Sequence, residues 1–213
     1  MKSVLFNDYA DSTNAGSKSA NLRHKRFRLF LKLLKPNNLS RILDVGGTES
    51  IWLGSGFERQ VTLLNISFKS KNNSLFTYVT GDACNMNFAD LEFDIIFSNS
   101  VIEHVGGFEK QLMFANEVRR VGRKYWIQTP YKHFPIEPHF LFPLFQYFPD
   151  SWKINIGKYW KYSHLKRNKE DILDELSRLR LINKQEITML FPDSEIITEK
   201  YFIFWKSLIA LKK

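Results

Sequence analysis

Five consecutive residues, Asp44 to Thr48, carry the clearest chemical pattern in the sequence. They read Asp-Val-Gly-Gly-Thr, and they begin within the short apolar run 41–45 and continue just past its end. Glycines let a backbone turn lie hard against a ligand, and a neighbouring carboxylate can accept hydrogen bonds. The spacing is not that of a dinucleotide-binding loop, because Thr48 and Ile51 stand where its second and third glycines belong. A P-loop is also disfavoured, since no GxxxxGK[ST] occurs. The turn therefore predicts contact with another kind of small ligand.

Small or polar residues also follow the next three apolar runs. Such residues stand at the end of, or shortly after, the apolar runs Val61–Ile66, Phe76–Thr80 and Phe93–Ser98. In an open α/β sheet, ligands bind at the carboxyl ends of the strands, where the strand order reverses. The residues predicted to line that site, besides the glycine turn, are Asn65, Ile66, Asp82, Ala83, Ser98 and Asn99.

Two histidines are the candidate catalytic bases. Histidine often removes protons in enzymes because its pKa lies near neutrality. His104 follows the fourth apolar run, and His139 follows Glu137 in a proline-rich stretch, so Glu137 can orient it. The alternative interpretations are a structural hydrogen bond at a helix start for His104 and a loop-stabilising pair for His139. Neither Glu103-His104 nor Glu137/His139 has a recognised ligand spacing, so no metal site is predicted.

The pattern of the chain predicts an α/β fold. Strands alternate with helical segments, which favours crossover connections and a largely parallel sheet. Helical spacing is present in 17–35, 108–120 and 168–181, with a further helical turn at 184–190. The end of the chain alternates in β fashion, with predicted strands at 195–203 and 207–211. A fifth strand is predicted at 124–129. We expect a single domain over 1–213, with an N-terminal arm and helix in 1–38 and an insertion at 130–168 after the fifth strand.

The composition of the chain limits the classes of function that it can have. The chain has 213 residues, 44% hydrophobic residues and a net charge of +9, so anionic partners such as nucleic acid, acidic lipid headgroups or phosphorylated substrates are favoured. Cys84 is the only cysteine, which excludes an intramolecular disulfide. No apolar run reaches the ~20 residues that span a bilayer. These features predict a cytoplasmic protein.

Three of these motifs in order, ILDVGG, GDA and FDIIFSNSVIEHV, resemble a class I S-adenosylmethionine-dependent methyltransferase of the small-molecule, type 11-like group. The resemblance covers roughly residues 40–130. It implies a Rossmann-like, seven-stranded, mostly parallel sheet with an antiparallel last strand and helices on both faces. It also implies S-adenosyl-L-methionine as the cofactor.

The resemblance assigns roles by position. Asp44, Gly46 and Gly47 would line the methionyl and ribose part, and Thr48 belongs to the same turn. Asp82 would accept from the adenine amino group, with the Ala83 backbone near the ring. Ser98 and Asn99 would offer backbone to the methionyl amine. Two departures stand out: Asn65 replaces the family's acidic ribose-binding residue, and the third glycine is missing.

Later motifs suggest the biological setting. QTP at 128–130, FPIEPH at 134–139, LFP at 190–192 and KSLIA at 206–210 resemble bacterial methyltransferase-like proteins associated with surface-polysaccharide or glycolipid assembly. The likeness implies a role in polysaccharide biosynthesis. The acceptor would then be a hydroxyl or carboxyl of a sugar or lipid-linked glycan precursor.

Three other hypotheses stay open from sequence. The charge suggests an RNA methyltransferase, although neither an RNA-binding module nor an Asn-Pro-Pro-Tyr-like signature is present, so nucleic acid is a disfavoured partner. The two departures suggest a non-catalytic partner protein with the methyltransferase fold. The aromatic stretch 139–149 leaves three interpretations open. It could form a lid with an apolar wall for the acceptor, or it could contact the inner membrane face beside basic residues such as Lys153 and Lys158. It could also be a helix pair packed on the edge of the sheet. The sequence predicts no oligomeric state.

Overall fold

A computed structural model describes residues 18–68, 73–160 and 169–213. The predicted arm before residue 17, the start of the first helix and the end of the insertion, with Lys161, His164, Lys166 and Arg167, lie outside these described residues. Nine strands are present in the described part. They are β1 (Ile42–Val45), β2 (Val61–Asn65), β3 (Thr77–Thr80), β4 (Phe93–Asn99), β5 (Gly122–Pro130), β6 (Ile136–Glu137), β7 (Phe142–Pro143), β8 (Glu195–Tyr201) and β9 (Phe204–Lys212).

Seven of the strands form one sheet, in the order β3-β2-β1-β4-β5-β9-β8. The first five strands in this order are parallel, and β9 pairs antiparallel with both β5 and β8. This confirms the predicted Rossmann-like sheet with an antiparallel last strand. Because the chain runs outward from β1 to β3 and then returns to β4 on the other side of β1, the strand order reverses between β1 and β4. A crevice for a ligand belongs at that reversal.

Helices cover both faces of the sheet, as predicted. The helices are α1 (Lys18–Leu34), α2 (Phe108–Val121), α3 (Asp150–Tyr159), α4 (Lys169–Arg178) and α5 (Lys184–Leu190). On one face α1 buries Phe27 and Phe30 against Trp52. On the other face α2 and α5 bury residues such as Phe114 and Ile187. Successive strand residues point to opposite faces, so each strand contributes to both cores.

The insertion after β5 forms a small core of its own. Phe140 and Phe145 stack with ring centroids 4.0 Å apart and are buried with Ile172 of α4. Helix α3 packs there too, since the Gly157 backbone lies against Ile172 and Phe140. Tyr147 and Trp152 stay more than half exposed. The aromatic stretch is therefore divided between a buried helix-packed part and an exposed part.

None of the helices in the described ranges is both long enough and apolar enough to span a membrane.

Gly122 joins α2 directly to β5 without a loop. A Cβ at this position would stand 2.2 Å from Cγ1 of Ile96 and 3.1 Å from the Val118 carbonyl oxygen. We predict that Gly122→Ser lowers the free energy of unfolding by about 1–3 kcal/mol, because a well-packed core accommodates added atoms only by strain. Thermal or urea unfolding measures the change.

Gly107→Ser is the matched control. Gly107 is the N-cap of α2, and a Cβ there meets no atom within 4 Å. Serine is a favourable N-cap residue, so this variant should keep or slightly raise the stability. Equal destabilisation by both substitutions would contradict the role given to Gly122.

Candidate active site

A cavity of about 750 Å³ opens at the carboxyl ends of β1 to β4. Its volume lies within the range of small-molecule sites. The residues that line it come from the loops after these strands and from α2 and α4. They are Gly46, Leu64, Asn65, Ile66, Thr80, Gly81, Asp82, Ala83, Cys84, Ser100, Val101, His104, Val105, Lys110 and Arg178.

Half of the predicted site residues line this cavity themselves. The structure brings Gly46, Asn65, Ile66, Asp82, Ala83 and His104 together around it. The other six lie beside or behind the wall; they are Asp44, Gly47, Thr48, Ser98, Asn99 and His139. The Ser98 side chain is fully buried and its hydroxyl donates to the Val45 carbonyl at 2.9 Å, so it joins β4 to β1. This leaves only its backbone for a ligand, as the resemblance implies.

The Asp44 carboxyl group lies under the glycine turn. Trp52 Nε1 donates to its Oδ2 at 2.7 Å, while Oδ1 is buried and has no hydrogen-bond partner among the described residues. Burial raises the pKa of Asp44 to about 7, and the Trp52 hydrogen bond opposes this rise only in part. A Cβ on Gly47 would lie 1.8 Å from Oδ2. Only glycine therefore fits over this carboxyl group.

The turns after β1 and β4 are pressed against each other. Gly46 has a φ of +74°, and a Cβ there would lie 2.5 Å from Cγ2 of Val101. Ser100 also has a positive φ of 55°, and its N–H donates to the Gln128 carbonyl at 2.9 Å. Left-handed backbone at a non-glycine residue is held only by its surroundings and clusters at functional sites. Gln128 of β5 thus helps to set the shape of the cavity wall.

The two residues expected at the ribose and adenine ends have defined partners. Asn65 Oδ1 accepts from the Ile66 N–H at 2.9 Å, and Nδ2 lies 3.5 Å from the Gly46 carbonyl oxygen. Asp82 Oδ1 accepts from the Cys84 N–H at 2.8 Å, which fixes the turn after β3. Burial raises the pKa of the Cys84 thiol to about 11. Cys84 is therefore a packing residue rather than a nucleophile.

A histidine cluster, made of Glu103, His104 and His139, lies at one edge of the cavity. One ligand atom from each residue falls within 4.8 Å of the others. The two Nε2 atoms are 3.1 Å apart. Glu137 holds His139 through a 2.5 Å contact to Nδ1 and a 2.8 Å bond from its N–H. The predicted orienting role of Glu137 fits this geometry, and two imidazoles with a carboxylate are a set that can hold a metal ion.

Burial and nearby charges shift the pKa values of the three cluster residues in different directions. Burial raises the pKa of Glu103 to about 7. Burial, with the charge of His139, lowers the pKa of His104. Burial alone would lower the pKa of His139, but the hydrogen bond and charge of Glu137, with the charge of Glu103, outweigh it and raise that pKa. The two pKa values therefore move in opposite directions, and His139 holds a proton more strongly than His104 does.

Several residues that line the cavity were not predicted from the sequence. Lys110 lies in the first turn of α2 and Arg178 ends α4, and both present cationic side chains to the cavity. Thr80 and Ser100 flank residues that were predicted, so the strand-end rule could have included them. Arg178 could not be predicted from its neighbours in the sequence, because α4 approaches the cavity only through the packing of the insertion.

The buried Asp44 carboxyl group predicts a pH-dependent stability. Its folded-state pKa lies above the ordinary value of 3.8, so its stabilising contribution is complete at acid pH and is lost as the pH rises through about 7. Asp44→Asn removes the ionisation. Relative to the wild type, this variant should gain stability between about pH 4 and pH 8, by about 4 kcal/mol at most.

Thermal unfolding at several pH values measures this difference. Asp174→Asn, on the exposed side of α4, is the control and should show no such trend. A stability difference between Asp44→Asn and the wild type that stays constant with pH would contradict the buried-carboxyl argument.

The comparisons with known proteins agree with this geometry. The family model described as a methyltransferase domain matches residues 43–125. That segment contains the glycine turn, Asn65, Asp82 and the end of β4. No curated protein matches the sequence.

Solved structures show the same fold. The PH0226 protein of Pyrococcus horikoshii OT3 is 17% identical, with 99% of this chain and 96% of that chain covered and a TM-score of 0.56. A SAM-dependent methyltransferase of Methanosarcina mazei is 15% identical over 83% and 94% of the two chains, with a TM-score of 0.50. The YcgJ protein of Bacillus subtilis is 17% identical over 83% and 71%, with a TM-score of 0.52. Residues 43–125 therefore match a methyltransferase domain, and the solved structures show the same fold over most of the chain.

Proposed function

We propose that the protein transfers the methyl group of S-adenosyl-L-methionine to an oxygen of a small molecule, namely a hydroxyl or carboxyl of a sugar or lipid-linked glycan precursor. The observation that carries the proposal is the convergence of Gly46, Asn65 and Asp82 on one cavity that also contains His104. Three separate strand ends thus supply a cofactor site, and the histidine lies where an acceptor can approach it.

The residues at the strand ends fit this cofactor. Oδ1 of Asp44 and Oδ1 of Asn99 are buried acceptors without a hydrogen-bond partner in the described ranges. Buried polar atoms are rarely left unpaired, so donors of a bound ligand, such as an amine or hydroxyl groups, would satisfy them. Gly46 has no room for a side chain, so its backbone can approach the ligand closely. When bound, the cofactor supplies an electrophilic methyl group on a sulfonium sulfur.

Charge supports an anionic acceptor. Lys110 and Arg178 both line the cavity, and the chain carries a net charge of +9. Cationic side chains in a cleft attract carboxylates and phosphates. A sugar acid or a phosphorylated glycan precursor has that charge. The polysaccharide-type motifs of the sequence favour the same class of acceptor.

The acceptor atom decides whether a base is needed. A carboxylate is ionised at neutral pH and attacks the methyl carbon without proton removal. A hydroxyl must lose its proton during the attack. Among the described residues, His104 is the only histidine that lines the cavity, and His139 lies behind it at 3.1 Å. For a hydroxyl acceptor, the histidine cluster is therefore the group placed to take up the proton.

The remaining predictions about partners are unchanged. Peripheral membrane contact stays a prediction, supported by the exposed Tyr147, Trp152 and Tyr159 and by Lys158 beside Tyr159. Location in the cytoplasm also stays a prediction. RNA methylation and a non-catalytic role gain no observation in their favour, because the cavity is formed and the cofactor residues converge on it.

Two measurements test the proposal. Calorimetry with S-adenosyl-L-methionine should give one site per chain. Incubation with methyl-labelled cofactor and a panel of sugar acids, hydroxyl-bearing glycans and lipid-linked precursors should transfer label to at least one acceptor. Total RNA is the comparison substrate. No cofactor binding would overturn the proposal, and label in RNA alone would replace it by the RNA hypothesis.

Asn65 provides a graded test of the cofactor site. We predict that Asn65→Asp binds S-adenosyl-L-methionine about 3- to 10-fold more tightly, because a carboxylate makes stronger hydrogen bonds to ribose hydroxyls than an amide does. Asn65→Ala should weaken binding by a similar factor. Calorimetry on the purified variants measures both changes. Cofactor affinities that are the same in all three proteins would show that Asn65 does not contact the ribose.

A further inference from the structure

The two histidines of the cluster present the same nitrogen to each other. Their Nε2 atoms are 3.1 Å apart, and the rings meet nearly at right angles. The opposite nitrogen of each ring faces a carboxylate. His139 Nδ1 contacts Glu137 Oε1 at 2.5 Å, and His104 Nδ1 lies 3.6 Å from Glu175 Oε1. This is the arrangement in which outer carboxylates orient metal-binding histidines.

The protonation pattern follows from these partners. A neutral imidazole that carries its hydrogen on Nδ1, toward a carboxylate, has a lone pair on Nε2. Two such nitrogens 3.1 Å apart must share either a proton or a bound cation. Ligand bonds of about 2.1 Å to both nitrogens would give an N–metal–N angle of about 95°. That angle is ordinary for neighbouring ligands of a metal ion.

Glu103 supplies a third ligand atom. Its side chain is fully buried, and Oε2 accepts from the Thr129 hydroxyl at 3.0 Å. Oε1 is buried and has no hydrogen-bond partner in the part of the chain that is described. The backbone is fixed as well, because the Arg180 N–H donates to the Glu103 carbonyl at 2.8 Å. A carboxylate oxygen of this fixed residue lies within 4.8 Å of a ring nitrogen of each histidine.

We propose that Glu103, His104 and His139 bind a divalent first-row transition-metal ion beside the cofactor cavity. Two imidazole nitrogens and one carboxylate oxygen suit ions such as Zn²⁺, Fe²⁺ or Mn²⁺ better than Mg²⁺ or Ca²⁺, which prefer oxygen ligands. Three protein ligands leave at least one coordination position open, as in catalytic sites. His104 belongs to the cavity wall, so the ion would lie within reach of a bound acceptor.

The role of the ion rests on the proposed function, while the site itself does not. A metal ion lowers the pKa of a bound hydroxyl. The acceptor hydroxyl would release its proton to solvent. Its oxygen would then form a bond to the methyl carbon as the carbon–sulfur bond breaks, leaving the neutral thioether product. The two histidines would then act as ligands, and proton removal would not depend on either of them as a base.

Direct metal binding tests the site. Untagged, chelator-treated protein is titrated with Zn²⁺ by calorimetry against a competing chelator, and with Co²⁺ by visible absorption. We expect one ion per chain and a rise in unfolding temperature on addition of Zn²⁺. His104→Gln and His139→Gln should each lower the affinity at least 10-fold. Glu103→Gln, which keeps the side-chain shape, should also weaken binding and alter the Co²⁺ spectrum.

His133→Gln is the matched control. His133 lies in the same insertion but contacts Tyr147, outside the cluster, so Zn²⁺ affinity should stay within about twofold of the wild type. If His139→Gln does not fold, His104→Gln decides, because that side chain is 36% exposed and its loss leaves no buried cavity. Absence of binding, or binding that survives all three cluster substitutions, overturns the proposal.

Cofactor calorimetry on the same samples separates this proposal from the function. If the wild type binds no Zn²⁺ but still binds S-adenosyl-L-methionine and transfers the methyl group, the metal site is overturned and the function stands. Zn²⁺ binding by the cluster without any methyl transfer supports the site and overturns the function.

Discussion

The contact between the turns after β1 and β4 is the constraint on which the rest of the site depends. The strand order reverses between these two strands, and the Gly46 backbone lies against Val101 with no space for a side chain. This close approach fixes where β4 ends and therefore where Glu103 and His104 begin their helical turn. The cofactor end and the proposed acceptor end of the cavity are thus parts of one rigid arrangement.

A buried polar network holds that arrangement from behind. Arg26 of α1 donates to the Gln128 side chain at 2.5 Å and pairs with Glu199 of β8 at 3.3 Å. Gln128 in turn accepts from the Ser100 backbone and lies 3.3 Å from the Ser100 hydroxyl. Removing one partner of a buried ion pair is strongly destabilising. The N-terminal helix therefore supports the cavity wall as well as covering one face of the sheet.

The insertion after β5 completes the site from the other side. Its aromatic core of Phe140 and Phe145 packs against α4, and this packing brings Arg178 to the cavity and His139 into contact with His104 of the cavity wall. Glu137 is 1% exposed and accepts from the N–H groups of His139 and Phe140, so it fixes the histidine through the backbone and the ring together. The insertion lies outside residues 43–125, which match the domain model. It thus supplies residues beside the cavity that the matched segment does not contain.

The sheet, the glycine turn and several of the strand-end residues that line the cavity could be predicted from the sequence alone. Apolar runs, turn chemistry and strand alternation are local properties, and parallel strands bring their carboxyl ends to one edge. The tertiary structure was needed to show that one oxygen of the Asp44 carboxyl group bonds to Trp52 while the other is buried without a partner among the described residues, and that His139 meets His104 across 35 residues of chain. Packing between segments that are far apart in the sequence sets these contacts, and neither the residue types nor their spacing along the chain predicts them.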